Sequence, residues 1–157
     1  MNVTDFERRG PKRIAELRLS VPADPRQAVV VRREVLAFAG NHNLADDDVT
    51  DFVAAIGEAL ANAIEHAHTS EPIKISVWLI GTRLFASVCD KGVGFSTSDR
   101  TLDALLPPAV AERGRGLPIM RRCSDIFIVR SSPGHGTNVT LGRFIQRADA
   151  PNRRQAG

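Results

Sequence analysis

The chain has few of the residues that mark secreted, membrane or metal-bound proteins. Only two cysteines, Cys89 and Cys123, occur among 157 residues. Both lie inside apolar patterns with neither CxxC spacing nor a histidine cluster nearby, which argues against a disulfide framework or a thiolate metal site. Buried free thiols in a reducing cytosol are the expectation. Long hydrophobic runs are also missing: Ala28 to Val31 and Ile73 to Ile80 are short or interrupted by polar residues, so no segment is expected to span a bilayer. The N-terminus is charged and has no apolar stretch, so no secretory signal is expected. Aromatics make up 5% and the formal charge is only +3. The basic residues gather at the ends, in Arg8, Arg9, Lys12, Arg13 and in Arg143, Arg147, Arg153, Arg154. Without interleaved aromatics these clusters read as solvated tails, not as a nucleic-acid surface.

What is present suits one globular domain: 43% hydrophobic and 25% charged residues in a chain long enough to bury a core. Residues 1–11 and 148–157 are polar and aperiodic and are expected to be flexible tails, leaving a domain over 12–147. Leu17, Leu19 and Val21 alternate as a strand, with Ile14 ahead of it and out of register. The pattern from Pro25 to Ala39 is helical, with Asp24 as N-cap, Pro25 at the first position and Gly40 at the end. After the loop Asn41 to Ala45, the run Asp46 to Ala67 carries Val49, Phe52, Val53, Ile56, Leu60, Ala63 and Ile64 at helical spacing. Ile73 to Leu79 and Leu84 to Cys89 alternate about Gly81-Thr82 as an antiparallel hairpin that delivers Asp90 at its end. Phe95 to Glu112, with two prolines and small polar residues, reads as a mobile lid. A short helix from Leu117 to Cys123, a strand from Ile126 to Arg130, a tight turn from Pro133 to Gly136 and a strand from Asn138 to Ile145 complete the chain. The sum is an α+β protein, a two-layer α/β sandwich whose mostly antiparallel sheet is covered on one face by helices.

Four segments carry chemistry. Glu58, Asn62 and either Glu65 or His66 recur at i, i+4 and i+7 or i+8, nearly one face of the central helix. The Asn62 amide oxygen is a hard donor suited to Mg²⁺. Glu58 is placed to accept a proton from a water or hydroxyl attacking a γ-phosphate, or to hold a metal-bound water. Asp90 at a strand end can accept a hydrogen bond from an exocyclic amine such as that of adenine, and Gly92 and Gly94 allow close backbone approach to a flat ring. Gly114 and Gly116 before a helix start leave backbone N–H groups for an anion, with Arg113 and Arg115 adding positive charge and Leu117 opening the helix. Thr137, after Gly134-His135-Gly136, offers a hydroxyl to the adenine or to a water beside Asp90. Each segment alone is compatible with an ordinary loop, turn or solvated helix face; their combination describes a nucleotide site. It is not a Walker P-loop, since no Gly-Lys-Ser/Thr occurs, nor a dinucleotide fold, since no strand precedes a GxGxxG.

On these residues the chain resembles the GHKL ATPase superfamily and, within it, the bacterial anti-sigma-factor serine/threonine kinases. Glu58-x-x-x-Asn62-x-x-x-His66 matches the first box of that family, Asp90-x-Gly92-x-Gly94-Phe95 the second, Gly114-Arg115-Gly116-Leu117 the third and Gly136-Thr137 the last. The resemblance covers nearly all of residues 12–147 and implies a Bergerat-type ATP-binding fold. It also implies Glu58 as catalytic base, Asn62 as Mg²⁺ ligand, Asp90 and Thr137 as adenine contacts, and His66, the glycines and their neighbours as nucleotide-loop residues. It further implies a cytoplasmic homodimer that holds a sigma factor inactive and phosphorylates a serine or threonine on a STAS-class anti-anti-sigma partner. Val93 departs from the proline often found there, making the loop slightly less rigid without removing a ligand. No helical hairpin with a phospho-acceptor histidine and no transducer domain accompany the boxes. A nucleotide-gated binding module without phosphotransfer is the alternative, as is an ATP-binding regulator outside sigma control.

Overall fold

A computed structural model describes residues 13–96, 119, 120 and 122–146. The expected tails at 1–11 and 148–157, and the expected lid beyond Ser96, lie outside the described residues. Five strands and two helices are formed there: β1 Ala15–Val21, α1 Gln27–Asn41, α2 Asp46–His66, β2 Ile73–Ile80, β3 Arg83–Asp90, β4 Ile126–Ser132 and β5 Gly136–Phe144. The strands make one sheet in the order β1-β2-β3-β5-β4 with every neighbouring pair antiparallel. This is the expected α+β sandwich.

Alternation decides which face is covered. Ile73, Ile75, Val77 and Leu79 of β2 and Leu84, Ala86 and Val88 of β3 are buried beneath the helices, while their neighbours Lys74, Ser76, Trp78, Phe85 and Ser87 face the other way. α2 lays Val49, Phe52, Val53, Ile56, Leu60 and Ala63 on that apolar surface. Each of the valine, leucine, isoleucine and phenylalanine side chains removed from water contributes about 1.5–3 kcal/mol, which is what fixes α2 along the sheet. Asp46, Asp47 and Asp48 in its first turn favour the positive end of the helix dipole. On the open face Trp78 stacks on Phe85 with ring centroids 5.6 Å apart, and the Arg13 guanidinium lies 4.5 Å over the Trp78 ring.

Both ends of α1 differ from the sequence expectation. Asp24 does accept the Arg26 backbone N–H at 2.9 Å, as an N-cap would, and the Arg26 guanidinium holds its carboxyl below the usual carboxylate range. The turn is tight, however: the Gln27 N–H goes to the Asp24 carbonyl at 2.9 Å, and the α-helix proper starts at Gln27. At the other end Gly40 does not stop the helix. Asn43 takes φ +53°, its N–H bonds the Gly40 carbonyl and the Leu44 N–H bonds the Ala39 carbonyl, a Schellman closure with asparagine in the left-handed position. Helical backbone at Ile119, Met120 and Arg122 ends where the Cys123 N–H reaches the Ile119 carbonyl at 2.9 Å. Cys89 and Cys123 are free thiols, half-buried where the sequence suggested full burial. Among the described residues no helix is long and apolar enough to cross a membrane.

Candidate functional site

The helix-facing rows of the sheet are apolar until they reach the end of β3. Val88, Val139 and Val129 form one cross-strand row, and two residues further along the row becomes Asp90, Thr137 and Ser131. The change from apolar to polar comes where the last turns of α2 pass over the sheet end. A cavity of about 240 Å³ opens there. α2 supplies Asn62 and His66 to its wall, β3 and β5 supply Asp90 and Thr137, and the loop after β3 supplies Val93, Gly94 and Phe95. Ala59, Ala63, Val88, Val129 and Val139 make the rest of the wall largely apolar. A flat heterocycle with a few polar edge atoms is the kind of ligand such a wall suits.

Asp90 is 6% exposed and is the only buried charged side chain among the described residues. A carboxylate placed there needs donors, because an unpaired buried charge is strongly unfavourable. Its Oδ1 accepts the Gly92 N–H at 2.9 Å and the Thr137 N–H at 3.3 Å. Both donors converge on one oxygen, and among the described residues no donor meets Oδ2. The side chain is thereby locked in orientation with one acceptor left for a ligand on the cavity wall.

Glycine fixes the loop that follows. A Cβ on Gly92 would lie 2.2 Å from the Ala67 carbonyl oxygen, at the C-terminal end of α2. Gly94 at φ +60° packs over the Ser132 carbonyl, and Gly136 at φ +80° packs over the Asp90 carbonyl. Val93 N–H to the Ala67 carbonyl at 3.0 Å and Gly134 N–H to the Val93 carbonyl at 2.8 Å pin the loop between α2 and the β4–β5 turn. The close approach at these glycines is therefore to the protein's own backbone, which positions Asp90 and the cavity rim.

Of the two candidates at the end of the α2 motif, His66 is on the cavity wall and Glu65 is not among its wall residues. Among the described residues the His66 Nε2 is shielded from solvent and has no hydrogen-bond partner; Glu65 Oε2 lies 3.8 Å away. An orphaned ring nitrogen and the Asn62 amide on the same wall are the polar groups that a phosphate-bearing ligand and its cation would need. Glu58 is half-buried one helical turn before Asn62 and is not part of the apolar wall. Arg113, Gly114, Arg115, Gly116 and Leu117 lie outside the described residues. Sequence reasoning missed His68, at φ +49° on the cavity rim, and Ser131. Only the strand register, which pairs Ser131 with Thr137 and Thr137 with Asp90, reveals the latter.

The sequence profile of the histidine kinase-like ATPase domain matches residues 21–143, and so spans α1, α2 and every residue of the polar row. The chain belongs to that family. Among proteins similar to it, the anti-sigma F factor of Geobacillus thermodenitrificans is 29% identical over 140 residues, covering 86% of this chain and 96% of that protein. The anti-sigma F factor of Pasteuria penetrans is 31% identical over 121 residues, covering 73% of this chain and 81% of that protein. The crystal structure of the RsbU and RsbW domains of a Mycobacterium tuberculosis protein superposes with a TM-score of 0.62 at 23% identity, covering 85% of this chain and 32% of that one. At that identity the likeness shows the fold alone. This chain is thus a kinase-like ATPase domain, and ATP is the nucleotide its family's description implies.

Proposed function

We propose that the chain is an ATP-dependent serine/threonine protein kinase of the anti-sigma type. It binds a sigma factor and transfers the γ-phosphoryl group of ATP to a hydroxyl on a STAS-class anti-anti-sigma protein. The observation that carries the nucleotide part is Asp90, a buried carboxylate with one oxygen held by two backbone N–H groups and the other free to accept from the adenine amino group. The partner assignment rests on the anti-sigma F factors to which the chain is similar.

In this reading the apolar wall holds adenine, with Thr137 beside Asp90 at its amino edge, and Asn62 and His66 stand toward the phosphates. Gly114 and Gly116, flanked by Arg113 and Arg115, are assigned to the phosphates on their sequence motif. Asn62 would hold Mg²⁺, whose charge offsets that of the phosphate oxygens during transfer. Glu58 takes the proton from the partner's hydroxyl as its oxygen bonds to the γ-phosphorus and the bond to the ADP oxygen breaks. A homodimer in the cytoplasm completes the proposal.

The test is incubation of the purified chain with γ-labelled ATP, Mg²⁺ and candidate STAS-domain proteins from the same organism. Label on a partner serine or threonine supports the kinase, and loss of that label in Glu58→Gln with ATP still bound supports the base. The position of Glu58 outside the apolar wall leaves one competitor, a nucleotide-gated binding module. Sigma-factor capture that depends on ATP, with no labelled partner, would favour it.

A further inference from the structure

The hydroxyl of Ser131 on the edge strand β4 is a junction between three parts of the site. It accepts the Phe95 backbone N–H at 2.9 Å, lies 3.0 Å from the Gly136 carbonyl oxygen and lies 2.8 Å from the Thr137 hydroxyl. A backbone N–H can only donate and a carbonyl can only accept, so two of these three contacts have a fixed direction. The Ser131 proton is directed at the Gly136 carbonyl. The short contact to Thr137 is then filled by the Thr137 proton, donated to a Ser131 lone pair.

The consequence falls on the cavity. Thr137 is half-buried on its wall, and with its proton turned toward Ser131 its oxygen offers the cavity lone pairs only. Asp90 is its cross-strand partner, with both backbone donors already spent on Oδ1. Two acceptors with no donor between them thus stand side by side at the end of the sheet.

We infer that Ser131 is a specificity-determining positioning residue. By taking the Thr137 hydroxyl proton it makes Thr137 an acceptor, so that the Asp90–Thr137 pair selects a purine edge carrying an amino group. The inference rests on the nucleotide reading above and adds the residue that sets the polarity of the base contact. Without Ser131, the Thr137 hydroxyl rotates and presents its proton to the cavity, where a bare ring nitrogen becomes an acceptable partner.

The test measures binding of ATP and of purine riboside triphosphate, which lacks only the 6-amino group, to the wild type, Ser131→Ala, Thr137→Val and the double variant, with melting temperatures alongside. Ser131→Cys, of similar size and with a poor donor, repeats the comparison if the alanine variant folds badly. The wild type is expected to prefer ATP. Ser131→Ala is expected to reduce the ratio of the two affinities about five- to tenfold, the value of one re-aimed hydrogen bond. In the Thr137→Val background the Ser131 substitution should leave the ratio unchanged, because no hydroxyl remains to turn. Equal weakening of both nucleotides by Ser131→Ala, or an undiminished effect on the ratio in the Thr137→Val background, overturns the inference while leaving ATP binding intact. Failure of the wild type to bind either nucleotide overturns the nucleotide reading itself.

Discussion

Replacing Asp90 by asparagine separates the structural duty of this side chain from its duty toward a ligand. The carboxylate has two oxygens in different situations: Oδ1 accepts from Gly92 and Thr137 backbone N–H groups, while Oδ2 meets no donor among the described residues. In Asp90→Asn the side-chain carbonyl keeps both backbone donors, so its NH₂ must take the Oδ2 position. The fold retains its two hydrogen bonds, and a shift in melting temperature of no more than a few degrees is expected, equivalent to about 1 kcal/mol for a domain of this size. The adenine amino group, by contrast, would meet a donor where it had met a charged acceptor. Loss of a hydrogen bond to a charged group is worth about 1.5–3 kcal/mol, or roughly 10- to 150-fold in affinity. Titration calorimetry with ATP and with ITP, whose 6-oxo group accepts, reads both effects. ATP should weaken by that factor, and ITP should gain relative to ATP. Unchanged ATP affinity, or a loss of binding matched by an equal loss of folding, would refute the assignment of Asp90.

Asn62→Ala should weaken Mg-ATP binding at least tenfold with little change in melting temperature, because Asn62 lies on the cavity wall and outside the apolar core; calorimetry and a thermal melt on the same sample check it. Gly136→Ala should destabilise by about 2 kcal/mol or more in urea unfolding, since the backbone is at φ +80° and the new Cβ would sit 2.1 Å from the Asp90 carbonyl oxygen. Asn43→Gly should be neutral or slightly stabilising, whereas Asn43→Ala should lose about 1 kcal/mol, because the left-handed position that closes α1 suits glycine and penalises a Cβ; the two midpoints compared at equal slope decide it.

The apolar periodicities were sufficient for the elements. Ile73 to Leu79 alternates at period two, and Val49 to Ala63 recurs at helical spacing, so strands and the central helix are readable before any pairing is known. Sequence also brought Asn62, His66, Asp90 and Thr137 together as one site, because Asp-x-Gly-x-Gly and Gly-Thr each mark a strand end. It misjudged the closure of α1: Gly40 attracted the assignment, but the hydrogen bonds of Asn43 and Leu44 back to Gly40 and Ala39 fix the end later. Helical spacing by itself left Glu65 and His66 both open, since one residue of helix rotation decides which faces the cavity, and only the family resemblance pointed to His66. Nor could it find Ser131, an ordinary strand serine whose importance comes from β4 lying beside β5 and from a backbone N–H, that of Phe95, supplied by a loop 36 residues away. Hydrogen-bond partners of that kind depend on long-range register, which no local pattern encodes.

Phosphotransfer from ATP in this site to a partner hydroxyl is what defines the proposed kinase. The most direct measurement is transfer of label from γ-labelled ATP to a STAS-domain partner by the wild type, Glu58→Gln and Asp90→Asn, with ATP binding measured in parallel. The expected result is phosphoserine or phosphothreonine on the partner with the wild type. Glu58→Gln should abolish transfer with ATP still bound, and Asp90→Asn should reduce transfer in step with its weaker binding. Full transfer by Glu58→Gln, or none by a wild type that binds ATP and captures its partners, would contradict it.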